Sequence, residues 1–372
     1  MIQVKEVTSK KERKRFIQFQ NDLYKGNKEY VPTLMMDEMA NLDPKKNPAF
    51  EYCDMRFFLA EKEGRPVGRI GAILSHKANA LWNQKQMRIT RLDFVEDIAV
   101  LQALLEPVKR WAKETGMEEI VGPIGFCDLD KEGMLVEGFE KPGMFITYYN
   151  YPYYKILMEE YGFEKDVDWV EQQVYLDSTN EKLARLSERI MKKQHFSVVD
   201  LKSKRKVKPY IEKVFNLVNS EYEGLYGVVP LTERQVEYYV GQFLTLVNMR
   251  YISLIVSEDD QLVAMGVCAP SLAEAMRKTG GRLFPFGWAT LLRALKKPSI
   301  LDMYLVAVKE EYRKSGLSLV LMHEVYRRAK EDNIVLAETG PQLESNLAVQ
   351  NMWDYFRVER NVRRRRSWKL KV

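Results

Sequence analysis

The sequence predicts an α+β chain with mixed α/β connections, built as two similar units. Each unit reads as a mixed, mostly antiparallel sheet flanked by helices. Three observations carry this expectation. IQVKEVTSKKERKRFIQFQNDLY near the start and FSVVDLKSKRKVKPYIEKVFNLV near the middle share one strand–turn–helix pattern. Each is followed by an apolar hairpin, a further strand and an amphipathic helix. In each half a later strand ends in Gly-Pro, at Gly122-Pro123 and at Gly340-Pro341. A chain of 372 residues also exceeds one typical domain.

The elements follow in parallel order. At a fixed offset Val4 matches Val198, Ser9 matches Ser203, Phe16 matches Tyr210, Ile17 matches Ile211 and Leu23 matches Leu217. The first hairpin runs from Arg56 to Glu61, turns at Gly64 and returns from Pro66 to Leu74. The second, YISLIVSEDDQLVAMGVCA, turns at Glu258-Asp259-Asp260. Strands follow at Gln86–Val95 and Leu301–Val308, then helices at Ile98–Thr115 and Gly316–Glu331. Leu101, Leu104, Leu105, Val108 and Ala112 mark the apolar face of the first helix. Leu317, Val320, Leu321, Val325 and Ala329 mark that of the second. The division is expected near 180, giving units 1–180 and 181–372, within the polar and helical segment Asp177–Lys193. The second unit carries a helical insertion at 270–298, read as a lid over the site.

The strand Leu301–Val308 meets its helix through a basic turn containing Arg313, Ser315, Gly316 and Ser318. Free backbone N–H groups and the helix dipole make such a turn an anion site. The Arg-x-x-Gly-x-Ser spacing resembles the pyrophosphate-holding turn of the GNAT N-acetyltransferase superfamily. With the element order occurring twice, the chain resembles the tandem-GNAT group of acyltransferase-like proteins over nearly its whole length. The resemblance implies acetyl-CoA as cosubstrate. It would be held by Arg313, Lys314, Ser315, Gly316, Leu317 and Ser318, with the backbone of Val306 and Val308 along the pantetheine arm and Asn346 nearby. The first unit lacks this turn: RLDFVED runs into the helix with Glu96 and Asp97 at its amino end. Asp97 reads as an N-cap that would take the donors a phosphate needs, so cofactor is expected in the second unit only. Pro107 is expected to kink this first-unit helix.

Amine acylation needs a base for the amine and a proton donor for the departing thiolate. GNAT enzymes often carry a Tyr in a Tyr-x-x-x-Gly-Phe pattern on the last helix. Here Trp353 falls at the Tyr position, while Arg357 and Val358 replace Gly-Phe. Tyr355 and Tyr304 are the alternative acids, although such tyrosines are more often core aromatics; Asp302 and Glu338 are the candidate bases, and each reads equally as a strand-end carboxylate facing solvent. Between Gly122 and Tyr161 the chain is rich in acids, glycines and aromatics. Asp128, Asp130, Glu137, Tyr149 and Asn150, with Tyr148, would line an acceptor pocket for a cationic or polar amine, or pack as a loop over the sheet.

Composition narrows the classes. Hydrophobic residues make up 46% and charged residues 30%, a globular balance, and the net charge of +6 suits anionic ligands. No apolar run reaches membrane-spanning length, and the start lacks a signal-peptide core, so a cytoplasmic protein without a membrane partner is expected. Cys53, Cys127 and Cys268 read as reduced thiols. His76, His195 and His323 lack metal-ligand spacing, so no metal is expected. Arg363–Arg366 reads as part of a closing strand, with Arg364, Arg366 and Trp368 on one face and Arg363 and Arg365 on the other. Nucleic acid is therefore not expected. The leading expectation is an acetyl-CoA-dependent N-acyltransferase, monomer or homodimer, acting by direct transfer on a small-molecule or peptide amine. The alternatives are a non-catalytic acyl-CoA-binding protein and an aminoacyl-tRNA-dependent transferase.

Overall fold

In the computed structural model, which describes residues 1–177, 180–201 and 203–372, the strands join into one continuous sheet. The first half contributes β1 (Ile2–Glu6), β2 (Cys53–Lys62), β3 (Arg65–Ser75), β4 (Gln86–Phe94), β5 (Glu119–Gly122), β6 (Met134–Glu137) and β7 (Glu164–Tyr175). The second contributes β8 (Ser197–Val198), β9 (Ile252–Val256), β10 (Leu262–Pro270), β11 (Ile300–Val308), β12 (Leu336–Thr339), β13 (Gln342–Leu343) and β14 (Arg357–Lys371). The spatial order is β1-β2-β3-β4-β5-β14-β7-β12-β11-β10-β9-β8, with β6 added on β14 and β13 on β7. Among the described residues, only β4–β5 and β11–β12 pair in parallel.

Local chemistry accounts for the elements. Ser9 caps the helix Lys10–Leu23 with a reciprocal Glu12 bond, a capping box. β2 and β3 are joined by Glu63-Gly64, both at positive φ, the two-residue turn whose twist suits a hairpin. The helix Ile98–Glu114 presses on β3 so closely that a Cβ at Gly68 would lie 2.8 Å from Leu104 and Val100. It runs through Pro107 as one helix and buries all five expected apolar residues, together with Val100 and Trp111. In the second half the helix Leu317–Glu331 does the same, adding Met322 and Tyr326. The midchain copy of the first pattern is more broken: two residues of strand, then short turns of helix before Ile211–Tyr222.

The closing strands are exchanged between the halves. β7, which ends at Tyr175 just before the expected division, pairs with β12 through Leu336↔Tyr175, Ala337↔Val174 and Glu338↔Gln173. β14 pairs with β5 through Trp368↔Gly122 and Lys369↔Val121. β7 and β14 then pair with each other along most of their length. The expected division itself falls partly at 178 and 179, outside the described residues.

The seam is held by charge. Arg363 and Arg365, fully buried, both donate to the buried carboxylate of Glu171 on β7. Arg363 also donates to Glu338 on β12 at 2.9 Å and to the Pro142 carbonyl. Burial alone would raise the Glu171 carboxyl, but the two guanidinium groups hold it below its usual value. On the opposite face Arg364 and Arg366 reach Asp168 at 2.8–3.1 Å. The alternation expected of the arginine run is therefore present, and all four arginines are occupied by carboxylates of the same molecule.

Removing one member of a buried charge group leaves the others desolvated and unpaired. Glu171→Gln is expected to cost about 3–5 kcal/mol of stability, read as a lowered urea midpoint at constant slope. A loss below about 1 kcal/mol, the ordinary value for an exposed pair, would contradict this role.

Candidate functional site

The second half opens where β11 and β12 part. They pair from Ile300↔Leu336 to Met303↔Thr339, and the Gly340 N–H closes the last bond to the Met303 carbonyl at 2.8 Å. Pro341 then offers no donor, and β13 turns away to pair with β7. On the other side of β11 the register with β10 slips: Val267 faces Leu305 while Cys268 faces Met303, leaving Tyr304 as the extra residue of a bulge. From Met303 onward β11 lines a cavity of about 1080 Å³. Its walls are largely apolar, including Val214, Phe215, Leu254, Leu305 and Met352.

Of the residues expected around the cofactor, Val306, Val308, Arg313, Ser318 and Asn346 line this cavity. Asn346 also caps the short helix that follows it, accepting from the Val349 N–H. Lys314, Ser315, Gly316 and Leu317 do not line it. Lys314 is exposed, and the Ser315 hydroxyl donates to the Tyr312 carbonyl at 2.6 Å. Gly316 takes φ +85° and lies against the helix Glu181–Gln194, where an added Cβ would meet Ile190 at 2.7 Å. Its glycine is required by conformation and by this contact.

Two side chains of the helix Ile211–Tyr222 stand in the expected ligand positions. Glu221 accepts from the Arg313 guanidinium at 2.7 Å and from the Glu310 N–H at 3.2 Å. A carboxylate thus sits at the turn where an anion is expected. The Tyr222 hydroxyl donates to the Val306 carbonyl at 3.0 Å and accepts from the Val306 N–H at 3.3 Å. It covers the backbone pair that would otherwise receive an added strand. These contacts join residues more than eighty positions apart, and no local pattern in the sequence signals them.

The candidate acids and bases separate clearly. Tyr304 lines the cavity, and its hydroxyl lies 3.4 Å from Asp302 Oδ2. Asp302 is fully buried behind it, and its Oδ1 has no hydrogen-bond partner. Burial first, then the charge of Glu338, push the Asp302 carboxyl up to about 7. Glu338 is committed elsewhere, accepting from Gln173 at 2.7 Å and from Arg363 at 2.9 Å. Tyr355 does not line the cavity; its carbonyl accepts from Asn180 and its ring lies beneath Lys182. Trp353, at the usual Tyr position, is buried in the cavity wall with its indole N–H unpaired.

The first half contributes the opposite wall. Asp128, Asp130 and Glu132 line the same cavity. Burial raises the Asp128 carboxyl to about 6, and burial together with the charge of Asp128 raises Glu132 well above the usual carboxylate range. Asp130 is tied down by the Phe126 N–H and the Asn41 amide. Glu137, Tyr149 and Asn150 are not brought to the cavity. Glu137 is exposed and paired with Arg364. The Tyr149 ring packs edge-on against Tyr24, and Asn150 accepts from the Leu135 N–H at 3.0 Å. Tyr148 is buried, its hydroxyl 3.1 Å from that of Thr90. Glu132, which is not among the acids expected to line a pocket, lies with Asp128 and Asp130 in a non-helical connection between β5 and β6, where no periodic spacing signals which acids turn inward. At the amino end of Ile98–Glu114, Asp97 accepts from the Ala99 N–H at 2.9 Å, so this helix start is already capped.

The insertion folds as two helices, Ala273–Thr279 and Gly287–Lys296, but none of its residues lines the cavity. It is therefore not a lid over this site. Among the described residues no group of three His, Cys, Asp or Glu side chains is arranged to hold a metal ion.

No family model matches the chain. It is 27% identical to the protein YghO of Escherichia coli (strain K12) over 370 residues, 96% of this chain and 92% of that protein. A bacterial ceramide synthase of Caulobacter vibrioides is also 27% identical, over 357 residues that cover 92% of this chain and 90% of the relative. Among solved structures, a tandem GNAT protein from the clavulanic acid biosynthesis pathway superposes with a TM-score of 0.57 at 13% identity, covering 99% of this chain and 98% of the other. The chain has the fold of the tandem GNAT proteins, with the two units joined in one continuous sheet.

Proposed function

We propose that this protein is an acyl-CoA-dependent N-acyltransferase whose donor carries a long acyl chain rather than an acetyl group. The observation that carries this reading is the cavity of about 1080 Å³. An acetyl group needs no apolar chamber of that size, whereas burying each CH₂ of a longer chain contributes about 0.8 kcal/mol. Similarity to a bacterial ceramide synthase supports it, since a ceramide is the amide of a fatty acid with a long-chain amino alcohol. The donor would lie along β11, with its phosphates at Arg313 and the amino end of the following helix. The amine would approach from the wall of Asp128 and Glu132, a buried carboxyl pair whose ionisation a cationic head would favour.

In the chemical step the amine nitrogen attacks the thioester carbonyl, the nitrogen loses a proton, and the thiolate of CoA departs and is protonated. Asp302 is the proposed base, reached through the Tyr304 hydroxyl that fronts the cavity. A second reading, binding of acyl-CoA without turnover, is favoured by Trp353 at the usual Tyr position and by Glu221 at the phosphate turn. For the tRNA-dependent reading, the supporting arginine run is spent in ion pairs.

Thiol release, followed with donors from acetyl to long acyl and an amine panel that includes long-chain amino alcohols, tests the proposal. Long donors are expected to win by tenfold or more in kcat/KM, roughly the effect of two buried methylenes. Acetyl-CoA outpacing them would sink the chain-length claim, and binding without thiol release would favour the second reading. Arg313→Ala is expected to weaken donor binding roughly tenfold, the scale of one charge-assisted contact at a half-exposed site. Glu221→Gln, which removes the competing carboxylate, should tighten it several-fold.

The Asp302 carboxyl gives a pH test. Its folded pKa of about 7 lies above the unfolded value, so its contribution to stability is present at low pH and is lost as pH rises from about 4 through 7. This group alone is therefore expected to withdraw on the order of 4 kcal/mol of stability over that window, at about 1.4 kcal/mol per unit, a contribution that Asp302→Asn abolishes. Activity should rise with pH through about 7 in the wild type only.

A further inference from the structure

The insertion between β10 and β11 has one face buried and one face that nothing covers. Leu272, Ala275, Met276 and Leu291 pack with Val31 and Leu34 of the first half. The outer side presents Phe284, 79% exposed, and Phe286, 77% exposed, with Trp288 and Leu292 about half exposed. These four lie within nine residues, while the chain's other exposed large apolar side chains are scattered. Trp288 and Leu292 are four apart in Gly287–Lys296 and share a face.

The aromatic display is built, not loose. A Cβ at Gly287 would lie 1.8 Å from the Arg282 carbonyl, and one at Gly281 would lie 2.6 Å from the Thr33 carbonyl. Both glycines permit the loop to close on itself and on the first half. The Trp288 N–H donates to the Leu283 carbonyl at 2.9 Å, and the indole N–H to the Pro285 carbonyl at 3.1 Å. The aromatic side chains are thus held outward by satisfied backbone.

Charge identifies the partner. From Ser271 to Ser299 there are six cations, Arg277, Lys278, Arg282, Arg293, Lys296 and Lys297, against the single carboxylate of Glu274. Glu274 is already paired with Lys278. Arg282, Arg293, Lys296 and Lys297 form no ion pair among the described residues. A protein partner would favour an aromatic patch with charge excluded from its centre. Exposed bulky aromatics in the same short segment as unpaired lysine and arginine instead match a surface with apolar depth beneath a layer of phosphates.

We propose that the insertion docks the protein on an anionic phospholipid bilayer. Phe284, Phe286 and Trp288 enter the headgroup boundary, while Arg282, Arg293, Lys296 and Lys297 meet lipid phosphates. No helix among the described residues is long and apolar enough to cross a membrane, and surface docking requires none. The expectation of no membrane partner rests on the lack of an apolar run of spanning length, and attachment at the surface needs no such run.

Co-sedimentation of the full chain with vesicles tests this, using phosphatidylcholine alone and phosphatidylcholine mixed with phosphatidylglycerol. The wild type is expected on the anionic vesicles, with binding that falls as salt rises. Phe284→Ser combined with Phe286→Ser should lower partitioning at least tenfold, and Arg293→Glu combined with Lys296→Glu should do so on anionic vesicles. Unchanged thermal unfolding of these surface variants shows that folding is intact; if one pair unfolds, the other carries the test. Equal partitioning of variants and wild type would overturn the proposal. So would a wild type that ignores both vesicles but self-associates through the patch in sedimentation velocity, which would assign the face to a second copy. The readout is binding alone, so its failure leaves the acyl-transfer reading untouched.

Discussion

The buried carboxylate of Glu171 between Arg363 and Arg365 is the contact on which the rest of the architecture rests. A charge removed from water is tolerable only when it is paired and hydrogen-bonded, so this group admits one register of β14 against β7. A slip of one residue would turn Arg363 and Arg365 away from Glu171 and Glu338, and Arg364 and Arg366 away from Asp168, so every ion pair of the seam would have to be remade. Because β14 also pairs with β5 and β7 with β12, the same register closes both halves. The seam reaches the site as well: Arg363 holds Glu338, and the charge of Glu338 helps to raise the buried Asp302.

From that seam outward the two halves diverge in role. The parting of β11 from β12 opens a chamber in the second half, and Tyr304, the extra residue of the bulge, lines it. The corresponding place in the first half is closed, since Asp97 already satisfies the helix start. What the first half adds is a wall of carboxylates whose charge is weakened by burial. A repeated fold has thus become one asymmetric cavity, with the Arg313 turn on one side and the acids of the first half on the other.

The turn at Arg313 is electrostatically occupied in this structure. Glu221 takes the guanidinium and a backbone N–H that an anion would use, and Tyr222 takes the backbone of Val306. Both lie at one helix end, so a single displacement of that end would free both positions together. The insertion lies elsewhere. Its packing against Val31 and Leu34 ties the halves on a second side and leaves its aromatic tip outside.

The amino-acid sequence by itself determined the elements that local chemistry dictates. The capping box at Ser9, the apolar faces of the two long helices, the hairpin turn at Gly64 and the Gly-Pro strand ends are all short-range patterns. The duplicated order, the Arg313–Ser318 turn and the alternation of Arg363–Arg366 are legible for the same reason. The tertiary structure alone decided the exchange of β7 and β14, the commitment of Glu338 to Arg363, and the removal of Glu137, Tyr149 and Asn150 from the cavity. It also decided that Glu221 and Tyr222 stand where a ligand was expected, and that the insertion covers no site. Strand order and ion pairing across more than a hundred residues depend on which surfaces meet. Periodicity reports only which face of an element is apolar, not what lies against it.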